Sequence, residues 1–222
     1  MTTRHPAAER RFIDGPAGPL EALVEHPARP AAGAFAVCCH PHPLFGGTMQ
    51  NKVVHALARA ALDCGVPAIR FNFRGVGGSE GRYDNGAGET DDAIAVARWG
   101  AESFGAGRLW AMGFSFGSFV AHGLAVTHGA DRLVTVAPPV QRFDFGAIAV
   151  PKCPWLVVQG DSDELVNHDS VMQWTRTVSP PPQVTLLAGA DHFFHGRIAE
   201  LRETVAQWLG RQEGSEPAHG GV

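Results

Sequence analysis

Residues 109–117 read Leu-Trp-Ala-Met-Gly-Phe-Ser-Phe-Gly, an apolar run that ends in a serine with glycine two places before it and two places after it. The segment that follows, 118–127, carries a helical pattern. An apolar run closed by a turn predicts a buried strand, so Gly113-Phe-Ser115-Phe-Gly117 sits between strand and helix. The turn required there is so tight that the two outer positions must lack bulky side chains, and glycine fills both. A serine held in this way projects its hydroxyl above the edge of a sheet. The helix starts at the next residue, which aims the Phe116 N–H at the space beside that hydroxyl.

Outward from this stretch the same alternation continues. Apolar runs at 35–39, 68–73, 109–112, 133–136, 155–158 and 184–187 are six candidate strands of a parallel sheet. Between them lie helical patterns, such as Val54, Leu57, Ala61 and Cys64, and finally Ile198, Leu201, Val205 and Trp208. Asp91 and Asp92 mark an expected helix N-terminus, where negative charge is favoured. Ahead of all this, segments 10–14 and 20–26 flank Gly15-Pro-Ala-Gly18 and predict an opening hairpin. The expectation is a doubly wound, mostly parallel α/β sheet with helices on both faces, a single domain over 1–209, and a disordered tail over 210–222 rich in Gly, Glu and Pro. Sheets of this kind collect ligands at the carboxyl ends of their strands.

A serine hydroxyl is a weak nucleophile at neutral pH. It needs an imidazole to take its proton and a carboxylate to orient that imidazole. Two later strand ends offer the pieces: Gly160-Asp-Ser-Asp163-Glu-Leu-Val and Gly189-Ala-Asp-His192-Phe-Phe-His195. Asp163 has the reach to the next loop and is favoured as the acid, whereas Asp161, close to the strand end, suits a loop-bracing acceptor. His192 follows a glycine turn directly after its strand and is favoured as the base over His195, one helical turn further on.

The connection Cys39-His-Pro-His42-Pro-Leu44-Phe-Gly-Gly-Thr48 is too specialised for a plain turn. Its prolines stiffen it and offer no N–H, so His42 or Leu44 is left to supply a second backbone donor beside the serine. A metal site built from His40, His42, His192 and His195 is the rival. It is disfavoured because histidines two apart at a strand end point to opposite faces and no cysteine or carboxylate cluster completes the set. The segment Phe71-Asn-Phe-Arg74-Gly-Val-Gly-Gly-Ser79 has glycine spacing suggestive of a phosphate loop but lacks the lysine, and a rigid loop flanking the site is expected instead.

Taken together, these strings resemble the α/β-hydrolase superfamily over residues 11–209. More narrowly, His-Pro-His-Pro-Leu-Phe-Gly-Gly-Thr-Met, Asn-Phe-Arg-Gly-Val-Gly-Gly-Ser and Gly-Ala-Asp-His-Phe-Phe-His-Gly are similar to a family of small bacterial serine hydrolases. The resemblance implies a Ser115, Asp163, His192 triad, a cytosolic esterase-like activity and no cofactor. One departure from larger relatives is the short stretch between the strands at 136 and 155, where lipases and many esterases insert a helical lid, so an open site is expected. Phe45, Phe114 and Phe116 are candidate walls of a shallow apolar pocket.

Bulk properties agree with a soluble enzyme. Among 222 residues, 45% are hydrophobic and 18% charged, and the formal net charge of -4 favours neither nucleic acid nor an anionic membrane surface. No apolar run is long enough to span a bilayer and residues 1–11 lack the apolar core of a signal peptide, so a cytoplasmic protein is expected. The four cysteines, Cys38, Cys39, Cys64 and Cys153, have no paired spacing and are expected as free, mostly buried thiols. A small-molecule acyl substrate is the expected partner, with carboxylic ester hydrolysis ahead of thioester, lactone or peptide hydrolysis by the same atoms. A non-catalytic binding module is the least favoured alternative.

Overall fold

Successive residues of β3 (Ala34–Cys39) divide between two faces: Phe35, Val37 and Cys39 enter one apolar cluster, while Ala34, Ala36 and Cys38 enter another. All six are buried. The same double burial holds for β4 (Ala68–Phe71) and β7 (Trp155–Gly160), which explains why these strands read as continuous apolar runs and not as alternating ones. Further strands are β1 (Glu9–Gly15), β2 (Gly18–Glu25), β5 (Arg108–Phe114), β6 (Arg132–Val136) and β8 (Gln183–Leu187).

In this computed structural model, which describes residues 8–31 and 33–211, the strands form one sheet in the order β1-β2-β4-β3-β5-β6-β7-β8. β1 pairs antiparallel with β2, and β2 antiparallel with β4; every other pairing is parallel. The opening hairpin and the six later strands therefore stand where the sequence places them. Helices α1 (Lys52–Asp63) and α5 (Ile198–Leu209) cover one face, and α2 (Ala87–Phe104), α3 (Phe116–Leu124) and α4 (His168–Thr175) the other. This is the α/β-hydrolase architecture. The expected tail beyond residue 211 lies outside the described residues.

Two local expectations change. α2 begins at Ala87, not at Asp91: Glu89 closes its first turn, accepting from Gly86 N–H at 2.7 Å and Asp84 N–H at 2.9 Å. Asp92 is fully buried in the second turn and holds a different job, described below. α3 passes into a π-helical turn (Ala125–Gly129), so the helix after the serine is regular for fewer residues than its pattern suggests. Among the described residues no helix is long and apolar enough to cross a membrane.

Candidate active site

The close approach of chain to chain explains the two glycines around Ser115. A Cβ on Gly113 would lie 2.0 Å from the Gly117 carbonyl oxygen, and one on Gly117 would lie 2.2 Å from that of Cys39. Ser115 itself adopts φ 53° and ψ -123°, a conformation that costs a side-chain-bearing residue on the order of 1–3 kcal/mol and persists only when its surroundings enforce it. Here they do. Ser115 N–H donates to Val136 O at 2.8 Å, and the buried Ser118 hydroxyl is placed to donate to Gly113 O at 3.0 Å and Val136 O at 2.8 Å.

The strand ends of β5, β7 and β8 bring three side chains into line. His192 Nδ1 lies 2.8 Å from Asp163 Oδ2, and His192 Nε2 lies 3.2 Å from Ser115 Oγ. A carboxylate only accepts, so Nδ1 carries the proton and Nε2 is left free to accept from the serine hydroxyl. Asp163 is anchored by its own loop, since its Oδ1 accepts the N–H of Leu165 at 2.9 Å and of Val166 at 2.7 Å. Burial pushes the Asp163 carboxyl up, but the hydrogen bond and charge of His192 and the two backbone amides outweigh it and hold the group below the usual carboxylate range. Asp163 and His192 are both buried, and the Phe114 ring lies 5.0 Å from the imidazole.

Asp161 does not join them. It is exposed and ties the β7 loop to the β8 loop, accepting from Gly189 N–H at 2.7 Å. His195 is exposed as well, with Nδ1 2.6 Å from Asp191 Oδ2.

The loop after β3 turns through Pro43–Phe45 as a single 3-10 turn. Leu44 N–H donates to His42 Nδ1 at 3.3 Å, and Leu44 is exposed and not among the residues lining the cleft. Among the described residues neither His42 N–H nor Phe116 N–H has a protein acceptor. His42 Nε2 carries its proton toward Tyr83 Oη, 3.1 Å away, because Nδ1 is already an acceptor. His40, fully buried, fixes this loop from beneath: its Nδ1–H donates to Pro41 O at 2.6 Å and its Nε2 accepts Phe73 N–H at 3.0 Å. Both ring nitrogens of His40 are thereby committed to the protein.

The glycine-rich segment after β4 braces the site without lining it. Arg74 donates to the buried Asp92 carboxylate through Nε at 3.0 Å and Nη2 at 2.7 Å, while Glu21 accepts from Gly78 N–H at 2.7 Å and Asn72 Nδ2 at 2.9 Å. Burial pushes the Glu21 carboxyl up, but the Gly78, Asn72 and Arg10 hydrogen bonds prevail and hold it low. Sheet edge, loop and helix α2 are so joined behind His40.

A cleft of about 410 Å³ opens over Ser115 and His192. Its apolar walls are Phe45, Phe116, Phe143, Phe193, Leu165 and Val166, and Arg142 and Asn51 are among its polar ones. Of the expected phenylalanines, Phe45 and Phe116 line it; Phe114 does not, being fully buried behind the imidazole. Phe143 and Phe193 escape a sequence reading because they come from the 137–154 and 188–197 connections, whose folding brings them over the sheet only in three dimensions. A further residue lies on a strand and belongs to no motif that would mark it. Gln159, buried at the end of β7, donates its amide to Gly160 O at 3.1 Å, Asp163 Oδ2 at 3.1 Å and Val166 O at 3.3 Å. All three partners only accept, which fixes the amide orientation.

Comparison with known proteins places this geometry. The model of the X-Pro dipeptidyl-peptidase (S15) family matches residues 19–151. An uncharacterised protein of Rickettsia prowazekii is 34% identical, over 89% of this chain and 87% of the relative. Among solved structures, an alpha-beta serine hydrolase homologue from Coxiella burnetii is 43% identical with a TM-score of 0.87, over 92% of this chain and 98% of that one. A Xanthomonas campestris serine hydrolase described as lacking a lid is 38% identical with a TM-score of 0.88, over 95% and 97%.

Proposed function

The chain belongs to the S15 peptidase family and is an α/β serine hydrolase, and from that premise we propose that it is a carboxylesterase acting on small acyl esters. The observation that carries the proposal is the unbroken relay of Asp163 Oδ2, His192 and Ser115 Oγ at 2.8 and 3.2 Å, with two unengaged backbone N–H groups beside it.

In the proposed cycle Ser115 Oγ attacks the ester carbonyl while His192 Nε2 takes its proton. The carbonyl oxygen, now an oxyanion, is held by the N–H of Phe116 and of His42. Collapse breaks the bond to the alcohol, which leaves with the proton from His192, and an acyl-Ser115 ester remains. Water, deprotonated by the same imidazole, then releases the acid. Asp163 keeps the imidazole in the required tautomer and offsets its transient charge, and Gln159 holds the same carboxylate oxygen in place. Each step uses this chain's own side chains and water alone, and we place the enzyme in the cytosol.

Peptidase activity of the family's namesake kind is the second possibility, and one observation weighs against it. A dipeptidyl-peptidase must capture the substrate's terminal ammonium, yet no carboxylate lines the cleft among the described residues, and Arg142 would repel a cation. Ser115→Ala is expected to abolish both labelling by a fluorophosphonate and hydrolysis of 4-nitrophenyl butyrate, lowering kcat by roughly 10³-fold or more with thermal unfolding little changed. A variant that keeps most of its esterase activity would remove Ser115 from the mechanism. Faster cleavage of an X-Pro amide than of the ester by the native protein would move the substrate class to peptides.

A further inference from the structure

The charge around the cleft is one-sided. The carboxylates near His192 lie outside the lining of the cleft: Glu164 Oε2 accepts His192 N–H at 3.3 Å, and Asp191 is bonded to His195. On the side of the His42 loop stands Arg142, which lines the cleft and, among the described residues, has no carboxylate within ion-pair distance. Its backbone is well placed to hold it there. Arg142 N–H donates to Pro139 O at 2.9 Å, and the adjacent Phe143 ring packs 5.2 Å from Phe116 and 5.2 Å from Phe119, measured between ring centroids. Burial first, and the nearby Arg142 charge second, hold the His42 imidazole below its ordinary range.

An ester bound for attack has a fixed orientation. Its leaving oxygen faces His192, which must protonate it, and its carbonyl oxygen faces the amides of His42 and Phe116, so the acyl chain is left to run along the Phe143 and Arg142 wall. Arg142 is the only lysine or arginine lining the cleft among the described residues, so an anionic alcohol finds no cation on the His192 side. An anionic acyl end would meet Arg142, whose guanidinium fork suits a carboxylate. Resting on the ester hydrolysis proposed above, we infer that Arg142 selects acyl groups that end in a carboxylate, making the half-esters of dicarboxylic acids the preferred substrate class.

The test compares the 4-nitrophenyl half-ester of adipate with 4-nitrophenyl hexanoate, two substrates of equal chain length in which a carboxylate replaces a methyl group. The native protein should favour the adipate ester in kcat/KM. In Arg142→Gln the adipate-to-hexanoate ratio should fall up to about fivefold, the size expected of a charge pair at an open mouth, and Arg142→Glu should reverse the preference. The fall should appear in KM and shrink at high salt. A third ester, the hexanoate of 4-hydroxybenzoate, carries its carboxylate on the alcohol and should gain nothing from Arg142. A ratio that is the same in native protein and both variants overturns the role of Arg142 while leaving ester hydrolysis standing. A dependence on Arg142 confined to the 4-hydroxybenzoate ester overturns the acyl assignment. Turnover of none of the three overturns ester hydrolysis, and the inference with it.

Discussion

At the scale of single residues, two aspartates two positions apart have unlike surroundings. Asp163 is buried and bonded to His192, whereas Asp161 is exposed and bonded to Gly189 N–H. Asp163→Asn replaces an acceptor with an amide that can present an N–H to Nδ1, favouring the tautomer that cannot receive the serine proton. The expected loss in kcat approaches about 10⁴-fold, while Asp161→Asn keeps its acceptor and should lose less than about tenfold. Steady-state kinetics of both folded variants checks the ranking, and the reverse order would transfer the orienting role to Asp161. The two aspartates were separable in the sequence because a triad acid must reach a neighbouring loop. For the second backbone donor proposed beside Ser115, the sequence offers His42 or Leu44 and favours His42. In the structure the side chain of His42 turns back to take the Leu44 N–H, an arrangement that no spacing rule encodes.

At the scale of elements, β3 to β7 were legible because burial on both faces writes an apolar run, whereas β8 stands at the sheet edge and buries only Leu187. α4 was not: it is eight residues long and buries only Val171 and Thr175, leaving no stripe to detect. The start of α2 was misplaced because Asp91-Asp92 resembles a charged first turn, whereas Asp92 is the buried partner of Arg74. α3 carries another buried titratable group. His122 stacks on Phe145 and Trp155, its Nε2–H donates to Ala149 O at 3.0 Å, and its Nδ1 has no partner. Burial, only partly countered by that bond, pushes its pKa from 6.5 down to about 4. Below pH 6.5 the unfolded chain therefore takes a proton that the folded chain refuses, so stability falls with pH across the window from 6.5 to about 4. His40, pushed down to about 3, adds to the same trend. His122→Phe should flatten the acid limb of a denaturant-derived stability profile by about 1 kcal/mol per pH unit between about pH 6 and pH 5. An unaltered slope would mean that His122 is protonated in the folded protein.

At the scale of the whole molecule, the cleft is a joint product of five connections that meet above the carboxyl ends of the strands. Its location was legible from the α/β pattern, but its walls were not. Phe114 was expected among them, yet strand alternation turns it beneath His192, and Phe143 and Phe193 occupy the wall instead. Phe143 packs against Phe116 and Phe193 against Phe114, and the cleft they help to wall holds about 410 Å³. Each buried methylene favours binding by about 0.8 kcal/mol only until that space is full. Among 4-nitrophenyl esters, kcat/KM should rise from acetate to butyrate or hexanoate and fall well before palmitate, with no increase when substrate forms micelles. A maximum at palmitate would reveal a longer acyl channel.

The stretch between β6 and β7 contains one short helical turn, Phe145–Ala147, and nothing that spans the mouth of the cleft. Enzymes that close over a substrate expel solvent and so protect a reactive intermediate. This architecture offers no such shelter: in the cycle proposed above, the acyl-serine would face bulk water once the first product departs. Partitioning between water and an added acceptor alcohol should then follow their concentrations and nucleophilicities, with little bias from the protein, making the molecule a poor catalyst of ester synthesis or acyl exchange even where alcohol is abundant.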